Sequence, residues 1–418
     1  SPVRIVVLGA GLIGVLTAYY LAKDGHEVVV VDRQADAGLE TSFANGALIT
    51  PSTSDSWAAP GTAQKLLKWL GREDAPLLLR PSALPGIGSW GLSFLANCRA
   101  SRWRTNTAAV LALALYSMQE LHALLAESAI DFDRNKPGLL KLFRDPLSMA
   151  SARRAGALYA ELGIDARLLS AEACVEIEPA LAPIGHQISG GMFYPADESG
   201  DSWKFVKGMA DLCRARGVDF RFSTRIIELS TKAGRIAGIV TDKGTLTGDV
   251  FVLALGSYSV GLARSLGFAL PIYPAKGYSI TVAADGWNAG PRIPIADDGR
   301  KMAVTPLGSR LRVAGTVEFA GYDTALNETR GRMLVEGLGE ILPLYPRDAK
   351  ITHWAGLRPL TPDGRPIIGA TPWPNLFVNA GHGPLGFTLA CGSGRALADL
   401  VQGRRPGIDL EGFALGRR

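Results

Sequence analysis

The sequence predicts an α/β protein of two domains: a Rossmann-like nucleotide-binding domain and a second domain built on a mixed or antiparallel β-sheet. Three observations predict it. Residues 1–32 follow the order strand, glycine-rich turn, helix, strand and acid. A second continuous apolar run, 250–255, ends on Gly256. Residues 271–345 contain three strand patterns followed by a helical one, which indicates a separate sheet.

The N-terminal stretch fits a β-α-β nucleotide-binding unit. Ile5–Leu8 is a short apolar run that predicts a buried strand, and Gly9–Gly14 directly after it matches G-x-G-x-x-G. Apolar residues at helical spacing cover 15–23, and Val28–Val31 predicts a second buried strand that ends on Asp32. Glycines also serve ordinary turns, so the indication comes from the whole order of elements.

Each residue of this unit has a physical role. Gly9 permits the tight turn out of the strand, Gly11 lets a pyrophosphate approach the backbone without meeting a Cβ, and Gly14 lets the helix pack close to the sheet. The free N–H groups at the start of the helix receive the pyrophosphate. The carboxylate of Asp32 can accept hydrogen bonds from ribose hydroxyls. The unit therefore predicts an adenine dinucleotide, either NAD or FAD.

Composition, net charge and cysteine content indicate which other classes of function to expect. Hydrophobic residues make up 47% of the 418 residues and charged residues 20%, which is typical of a globular chain with a large core. The net charge is +5, but Lys and Arg form no long block, so we expect no nucleic-acid binding. The four scattered cysteines form no C-x-x-C pattern, which favours reduced thiols in a cytoplasmic protein. We expect no metal site, because no His, Cys or acid cluster has ligand spacing.

Residues 52–150 predict a long insertion. Within it, 76–91 is rich in Pro and Gly and predicts a loop, whereas 104–128 predicts one long helix. The apolar tract 108–116 is too short to span a bilayer. Residues 60–104 carry seven Lys and Arg residues, with tryptophans in or beside the span. This composition suits a membrane-surface patch. It also suits a solvated face with core tryptophans, the interpretation that we favour.

A second glycine-rich turn lies near the C-terminus. It covers 381–388 and precedes a helical pattern at 389–401, so it offers a second helix dipole to a ligand. With this turn and the N-terminal unit, the chain resembles the D-amino-acid oxidase and glycine oxidase superfamily of flavoproteins, and more closely the bacterial FAD-dependent D-amino-acid dehydrogenases. The motifs that carry the resemblance are TSFAN at 41–45, PAKGYSI at 274–280, WAGLRPLTPDG at 354–364 and GHGPLGFTLACGSG at 381–394.

The resemblance implies a two-domain flavoprotein with FAD as its cofactor. The FAD-binding domain would comprise 1–51, 202–270 and 346–418, and the substrate domain 52–201 and 271–345, with a helical insertion at 52–136. The residues that the resemblance and the N-terminal motif place at FAD are Gly9, Ala10, Gly11, Leu12, Ile13, Gly14, Asp32, Arg33, Thr41, Ser42, Asn45, Gly46, Ala47, Leu48, Ile226, Ala254, Gly256, Gly383, Pro384, Leu385, Gly386, Phe387 and Thr388.

The resemblance also implies the reaction. A D-amino acid, with D-proline and hydroxyproline analogues among the candidates, would lose hydride from Cα to flavin N5. The product would be a 2-oxo acid or a cyclic imino acid. Two alternatives stay open: a glycine- or sarcosine-type amine oxidase that uses oxygen, and a flavin-bearing subunit of a larger dehydrogenase complex. Pro384 and Phe387 stand where Thr and Trp are frequent in the dehydrogenases, which leaves substrate preference undecided.

Four residues are candidates for the catalytic site. By resemblance, Arg358 anchors the substrate carboxylate, which a guanidinium grips bidentately; the alternative is a structural pair with Asp363. Tyr278 could give the carboxylate a second hydrogen bond or be a core tyrosine. His353 and His382 could shape the pocket and hold the amine side, or be structural. No protein base is required, because a neutral amine can lose hydride without one.

The expected partners follow from the same reaction. They are a small D-amino acid and an electron acceptor such as a quinone. Peripheral membrane contact through 60–104 stays an open interpretation. We expect a cytoplasmic protein, with the inner face of the plasma membrane as the alternative location.

Overall fold

The computed structural model describes residues 1–417. Several helices begin at a side chain that accepts a hydrogen bond from the first turn, as Ser170, Asp201 and Asn327 do. The ten helices of this range are α1 (Leu12–Lys23), α2 (Thr62–Lys68), α3 (Leu84–Asn97), α4 (Ala100–Glu127), α5 (Pro146–Glu161), α6 (Ala171–Ile177), α7 (Ser202–Ala215), α8 (Ser259–Ser265), α9 (Glu328–Ile341) and α10 (Gly386–Gln402).

The strands of the same range fall into four sheets. They are β1 (Arg4–Leu8), β2 (Glu27–Val31), β3 (Leu48–Ile49), β4 (Leu77–Leu79), β5 (Leu139–Phe143), β6 (Arg167–Leu169), β7 (Gly190–Tyr194), β8 (Glu198–Ser199), β9 (Asp219–Arg221), β10 (Ile226–Lys232), β11 (Arg235–Thr241), β12 (Gly244–Thr247), β13 (Val250–Leu253), β14 (Tyr273–Ala283), β15 (Ile295–Asp297), β16 (Met302–Leu307), β17 (Arg310–Phe319), β18 (Ile351–Leu360), β19 (Ile367–Ala370) and β20 (Leu376–Ala380).

The N-terminal unit belongs to a six-stranded sheet of order β19-β20-β13-β1-β2-β9. The pairs from β20 to β9 are parallel, and β19 alone runs antiparallel to its neighbour. Apolar residues fill both faces of its central strands, as parallel sheets require. One face packs against α1, α7 and α10, and the other against β10–β12 and α8. The predicted Rossmann-like layer is confirmed.

The second sheet has nine strands in the order β18-β14-β17-β16-β15-β5-β7-β6, with β4 pairing beside β17. Its pairs are antiparallel except β5–β15 and β4–β17, so the predicted mixed sheet is confirmed. One face buries an apolar cluster with α9. β18 lies within the range expected for the FAD-binding domain, but it pairs with β14 along its length and so belongs to this sheet.

Residues 76–91 were expected to form a loop, and this expectation is wrong. The segment contains β4 and the start of α3, which bends at Gly88. Pro81 and Pro85 stand in the first turns of helical segments, where a missing N–H costs nothing. Trp90 stacks 5.3 Å from Phe94 and lies 5.6 Å from the ring of Tyr273. Burial of these rings outweighs the poor helix propensity of the glycines.

Helix α4 is the longest helix of the described chain. It packs across α10, and Val110, Leu113 and Leu121 lie in the same core cluster as α1. Its length and composition alone would allow it to cross a membrane, with a mean hydropathy of 1.4 over its most apolar window. About 44% of that window is buried inside the protein, as in the core helix of a globular domain. The feature therefore carries no argument for a membrane span.

The insertion is held to the second sheet by Arg330, a fully buried side chain on α9. Its guanidinium donates to the carbonyls of Glu73 at 3.1 Å, Pro76 at 3.3 Å and Val317 at 3.1 Å, and also to Ala75. A buried carbonyl without a donor is costly. This one side chain therefore fixes β4 against β17.

We expect Arg330→Met to lower the free energy of unfolding by about 2–4 kcal/mol, because a chain of similar volume leaves these buried carbonyls unpaired. Chemical denaturation of the FAD-loaded protein measures the change. The matched control is Arg332→Met, an exposed position two residues along the same helix. Equal midpoints for the two variants would contradict the assignment.

Candidate active site

A cavity of 580 Å³ lies between the two sheets. This volume is in the range of small-molecule and cofactor sites. From the first sheet it is lined by the turn after β1, the start of the segment after β2, residues 254–258 and the turn before α10. From the second it is lined by β14, β17 and β18, and segment 50–69 closes one side.

The turn after β1 leaves no room for side chains. Gly9 has φ +110°, and a Cβ there would lie 2.2 Å from the carbonyl oxygen of Ala254. A Cβ at Gly14 would lie 1.8 Å from the carbonyl oxygen of Gly9. β1, the turn and α1 therefore pack so closely that no Cβ fits between their backbones at Gly9 and Gly14, as the motif predicts.

Asp32 and Ser42 complete this turn. Asp32 Oδ2 accepts from the Ala10 N–H at 2.8 Å, and Oδ1 accepts from the Gln34 N–H at 2.8 Å. Burial raises the pKa of Asp32, against the lowering effect of these two backbone donors. Ser42 Oγ accepts from the Leu12 N–H at 3.0 Å, one of the donors that α1 cannot satisfy itself.

The residues present fit FAD. A Cβ at Gly11 would meet only Ser42 Oγ, at 3.4 Å, so the groove above the start of α1 is open. A pyrophosphate there would face the first N–H groups of the helix, and the fixed carboxylate of Asp32 lies at the end of β2 for the ribose. The start of α10 lines the same cavity, so a second helix dipole faces the ligand space.

Most of the residues expected at FAD line the cavity, but four do not. Gly14 packs against Gly9. Arg33 pairs with Glu40, and its guanidinium lies 4.4 Å from the centre of the Tyr258 ring. Ile226 packs in the apolar cluster under β13. Thr388 accepts at its Oγ1 from the Thr50 N–H at 3.0 Å. The residues that line the cavity are Gly9, Ala10, Gly11, Leu12, Ile13, Asp32, Thr41, Ser42, Asn45, Gly46, Ala47, Leu48, Ala254, Gly256, Gly383, Pro384, Leu385, Gly386 and Phe387.

Arg358 lies in the cavity without a counter-ion among the described residues. Its side chain crosses the neighbouring strand above Gly277, where a Cβ would lie 2.6 Å from Arg358 Nε. Burial alone lowers the pKa of Arg358 to about 10. The structural alternative does not hold, because Asp363 pairs with Arg365 at 3.2 Å and Arg417 at 2.9 Å. A guanidinium that lines a cavity without a carboxylate partner is an anion site.

Tyr278 borders the cavity, but its hydroxyl is already used. It donates to Glu318 Oε1 at 2.5 Å, and Glu318 also contacts Lys276 Nζ at 3.4 Å and Arg80. A phenol has one hydrogen to donate. The phenol hydrogen of Tyr278 therefore goes to Glu318 and not into the cavity, which favours the alternative of a structural tyrosine; its role toward a substrate carboxylate stays a prediction. The ring of Tyr278 forms part of the cavity wall.

The two histidines differ in position. His382 lines the cavity, and its Nε2 is 2.9 Å from Ser393 Oγ. Burial lowers the pKa of His382 to about 3, so the ring is neutral at physiological pH. His353 lies on β18 outside the cavity, where it is exposed and packs over Gly331 of α9. The interpretation of His353 as a pocket residue is wrong, because its strand turns that side chain to α9.

Sequence reasoning missed the wall formed by the insertion. Asp55, Trp57, Lys65 and Trp69 line the cavity, as does Trp354 of β18. A Cβ at Gly356 would lie 2.3 Å from the Trp354 ring, so the indole lies flat along β18 toward Arg358. The spacing Trp354, Gly356, Arg358 places all three on one face of a strand, a signal that was readable. The contribution of segment 50–69 depends on long-range packing that no local pattern encodes.

We expect Gly11→Ala to fold and to lose FAD. The Cβ meets no protein backbone, but it occupies the space through which a pyrophosphate reaches α1. Affinity for FAD should fall about tenfold or more, at an unchanged melting temperature of the apoprotein. FAD titration followed by fluorescence measures it. Gly261→Ala is the control, because its Cβ also meets open space but lies outside the cavity. Equal FAD affinity in both variants would contradict this site.

Comparison with known proteins agrees with the geometry. The family model described as FAD dependent oxidoreductase matches residues 4–400. A D-amino acid dehydrogenase of Paramagnetospirillum magneticum is 46% identical over 415 residues, covering 99% of this chain and 98% of that relative. One from Allorhizobium ampelinum is 45% identical over 415 residues, covering 99% of this chain and 98% of that relative.

Solved structures share the fold. A glycine oxidase from Geobacillus kaustophilus has a TM-score of 0.79 at 22% identity, covering 100% of this chain and 99% of its own. An L-proline dehydrogenase from P. horikoshii has a TM-score of 0.79 at 19% identity, covering 99% and 97%. The predicted resemblance, the fold class and the requirement for FAD are confirmed. The chain belongs to the FAD dependent oxidoreductase family.

Proposed function

We propose that the protein is an FAD-dependent D-amino-acid dehydrogenase. The observation that carries the proposal is Arg358, whose guanidinium lies in the same cavity as the FAD groove and has no counter-ion in the described part of the chain. The relatives that cover nearly the whole chain are D-amino acid dehydrogenases, which supports the substrate class. The structure and the relatives together favour a carboxylate-bearing substrate whose Cα is oxidised.

The chain's contribution is binding and orientation. FAD, when bound, supplies a two-electron acceptor that takes hydride from Cα. The substrate nitrogen loses a proton, and the resulting imino acid leaves to hydrolyse or stays cyclic. Arg358 fixes the carboxylate, and the flat Trp354 ring and the Tyr278 ring limit the poses of the remainder. His382 is neutral at physiological pH, so it adds no positive charge against a substrate ammonium.

Anaerobic bleaching of the flavin band by a panel of D- and L-amino acids, glycine and sarcosine tests the proposal, followed by admission of air. Bleaching by D-amino acids with slow recovery is the expected result. Bleaching by glycine or sarcosine with fast recovery and peroxide would make the protein an oxidase. Absence of bleaching by every compound would reject the proposal and favour a subunit that needs a partner.

We expect Arg358→Met to lower kcat/KM for the best D-amino acid about 100-fold or more, because the carboxylate loses a charge-assisted bidentate partner. Arg358→Lys should recover only part of this, since an ammonium lacks the planar fork. FAD content should stay unchanged, and Arg153→Met, at an exposed position, serves as control. Equal activity of Arg358→Met and the wild type would show that the carboxylate binds elsewhere.

The electron acceptor that we propose is a membrane-dissolved quinone, reached through the outer surface of the insertion. Leu66 of α2 and Ile87 and Trp90 of α3 pack against one apolar cluster, so both helices belong to one layer. On the solvent side of these two helices, Leu67 is 71% exposed and Leu92 is 72% exposed. Leu70, Leu84 and Leu95 are exposed as well, and the exposed cations nearby are Lys65, Lys68, Arg72, Arg99 and Arg102.

Exposed leucines among cations suit an anionic lipid surface. They support a cytoplasmic protein that binds the inner face of the plasma membrane. The sequence alone favoured a solvated face over a membrane-surface patch at 60–104. The exposed leucines support the membrane-surface patch, while Trp57 and Trp90 pack against an apolar cluster, as a solvated face would have them.

We expect the double variant Leu67→Glu and Leu92→Glu to lose binding to vesicles that contain anionic lipid, because it removes apolar area and adds repulsion. Reduction of a vesicle-bound quinone should fall in parallel, while reduction of a soluble dye stays unchanged. Co-sedimentation measures the first quantity. Leu147→Glu is the control, since Leu147 is 82% exposed on α5. Equal sedimentation of all variants would reject the membrane surface.

A further inference from the structure

The charges that line the cavity are not all balanced. Five carboxylates line it. Asp32 accepts from two backbone N–H groups, and Glu40 pairs with Arg33. Asp297 pairs with Arg144 at 2.5 Å, and Asp298 lies 3.2 Å from Lys301 Nζ and 3.6 Å from Lys141 Nζ. Asp55 is the fifth, and among the described residues it has neither a cation nor a backbone N–H at its carboxylate.

Asp55 is held in place by one buried side chain. The hydroxyl of Tyr159 on α5 donates to Asp55 Oδ1 at 2.9 Å and accepts from the Asp55 N–H at 3.1 Å. Tyr159 is 2% exposed, and burial raises its pKa well above the ordinary value, so the hydroxyl keeps its proton and stays the donor. The clamp fixes the direction of the carboxylate and leaves Oδ2 without a protein donor.

The position of Asp55 separates it from the carboxylate anchor. Segment 50–57 begins at Thr50, whose N–H donates to Thr388 at the start of α10. It ends at Trp57, which packs against the apolar cluster that contains Leu360 of β18. Asp55 therefore stands in the wall between the cofactor side and the second sheet, while Arg358 reaches in from β18 over Gly277. Among the described residues, Arg358 therefore offers a substrate a cation without a carboxylate partner on the sheet side, and Asp55 Oδ2 offers an acceptor without a protein donor on the wall side.

We propose that Asp55 is a specificity-determining residue that selects substrates with a hydrogen-bond donor on the side chain or ring, a hydroxyl or an ammonium. An ionised carboxylate can only accept hydrogen bonds. A substrate whose side chain is apolar would remove water from Oδ2 and offer nothing in return, a cost that a donor-bearing substrate avoids. This inference rests on the proposed function, since it names the substrate class of the same site.

The test compares matched substrate pairs that differ by one donor. They are D-alanine with D-serine, D-proline with 4-hydroxy-D-proline, and D-norleucine with D-lysine. We expect wild type to prefer the donor-bearing member of at least one pair. In Asp55→Ala, kcat/KM for that member should fall about 10- to 100-fold, while kcat/KM for its partner changes by less than about threefold. The pair that responds shows whether a hydroxyl or an ammonium is read.

Two further variants distinguish the negative charge of Asp55 from its role as a hydrogen-bond acceptor and from a structural role. Asp55→Asn keeps an acceptor for Tyr159 and for a substrate hydroxyl, so it should retain part of the hydroxyl preference and lose the ammonium preference. Tyr159→Phe frees the carboxylate and should weaken the same preference less than Asp55→Ala does. FAD content and melting temperature report on folding. If Asp55→Ala loses FAD, Asp55→Asn takes its place. Asp211→Ala, an exposed carboxylate on α7, is the matched control.

Equal losses for both members of every pair would overturn the inference, because Asp55 would then serve the α-amine or the fold. Unchanged kcat/KM in Asp55→Ala would overturn it as well, and so would a wild-type enzyme without preference in any pair. These outcomes differ from failure of the proposed function, in which the wild-type flavin is bleached by no D-amino acid at all.

Discussion

A short stretch of backbone, residues 44–46, joins the nucleotide-binding side of the cavity to the large sheet. Three side chains from three strands of the large sheet donate to three successive carbonyls: Ser279 Oγ to Ala44 at 2.6 Å, Arg312 Nη1 to Asn45 at 2.9 Å and Thr305 Oγ1 to Gly46 at 3.0 Å. A buried loop is stable only when its backbone groups are satisfied. These donors let an irregular segment run through the interior and form a fixed wall beside the cofactor groove.

The same stretch explains why the nucleotide-binding turn and the substrate sheet act as one site. Ser42, just before it, accepts from the Leu12 N–H at the start of α1. Arg312, which holds its middle, is 3% exposed, and burial lowers its pKa to about 10. A desolvated guanidinium needs such acceptors. Small shifts of the large sheet would therefore move the wall next to FAD, which couples the geometry of the two ligands.

The sequence predicted those parts of the site whose chemistry is local. The turn at Gly9–Gly14 and Asp32 could be read because spacing alone fixes them. Arg358 could be read from its motif, but not its pose above Gly277, which two strands define together. The positions of two side chains could not be read from the sequence, since a strand pattern does not tell that Glu318 takes the phenol hydrogen of Tyr278 or that His353 packs beside α9, outside the cavity. Helix α3 was missed because buried rings override its glycines.

The unbalanced charges of the cavity are the remaining clue to its substrate. Arg358 lines the cavity without a counter-ion among the described residues, and burial lowers its pKa, so a bound anion would stabilise its charged form. Asp55 carries the opposite charge: its Oδ1 accepts from the Tyr159 hydroxyl, and its Oδ2 has no donor among the described residues. A ligand that carries a carboxylate at one end and a donor at the other satisfies both. A site arranged in this way discriminates through the cost of leaving its own polar groups unpaired, which exceeds what apolar contacts alone can supply.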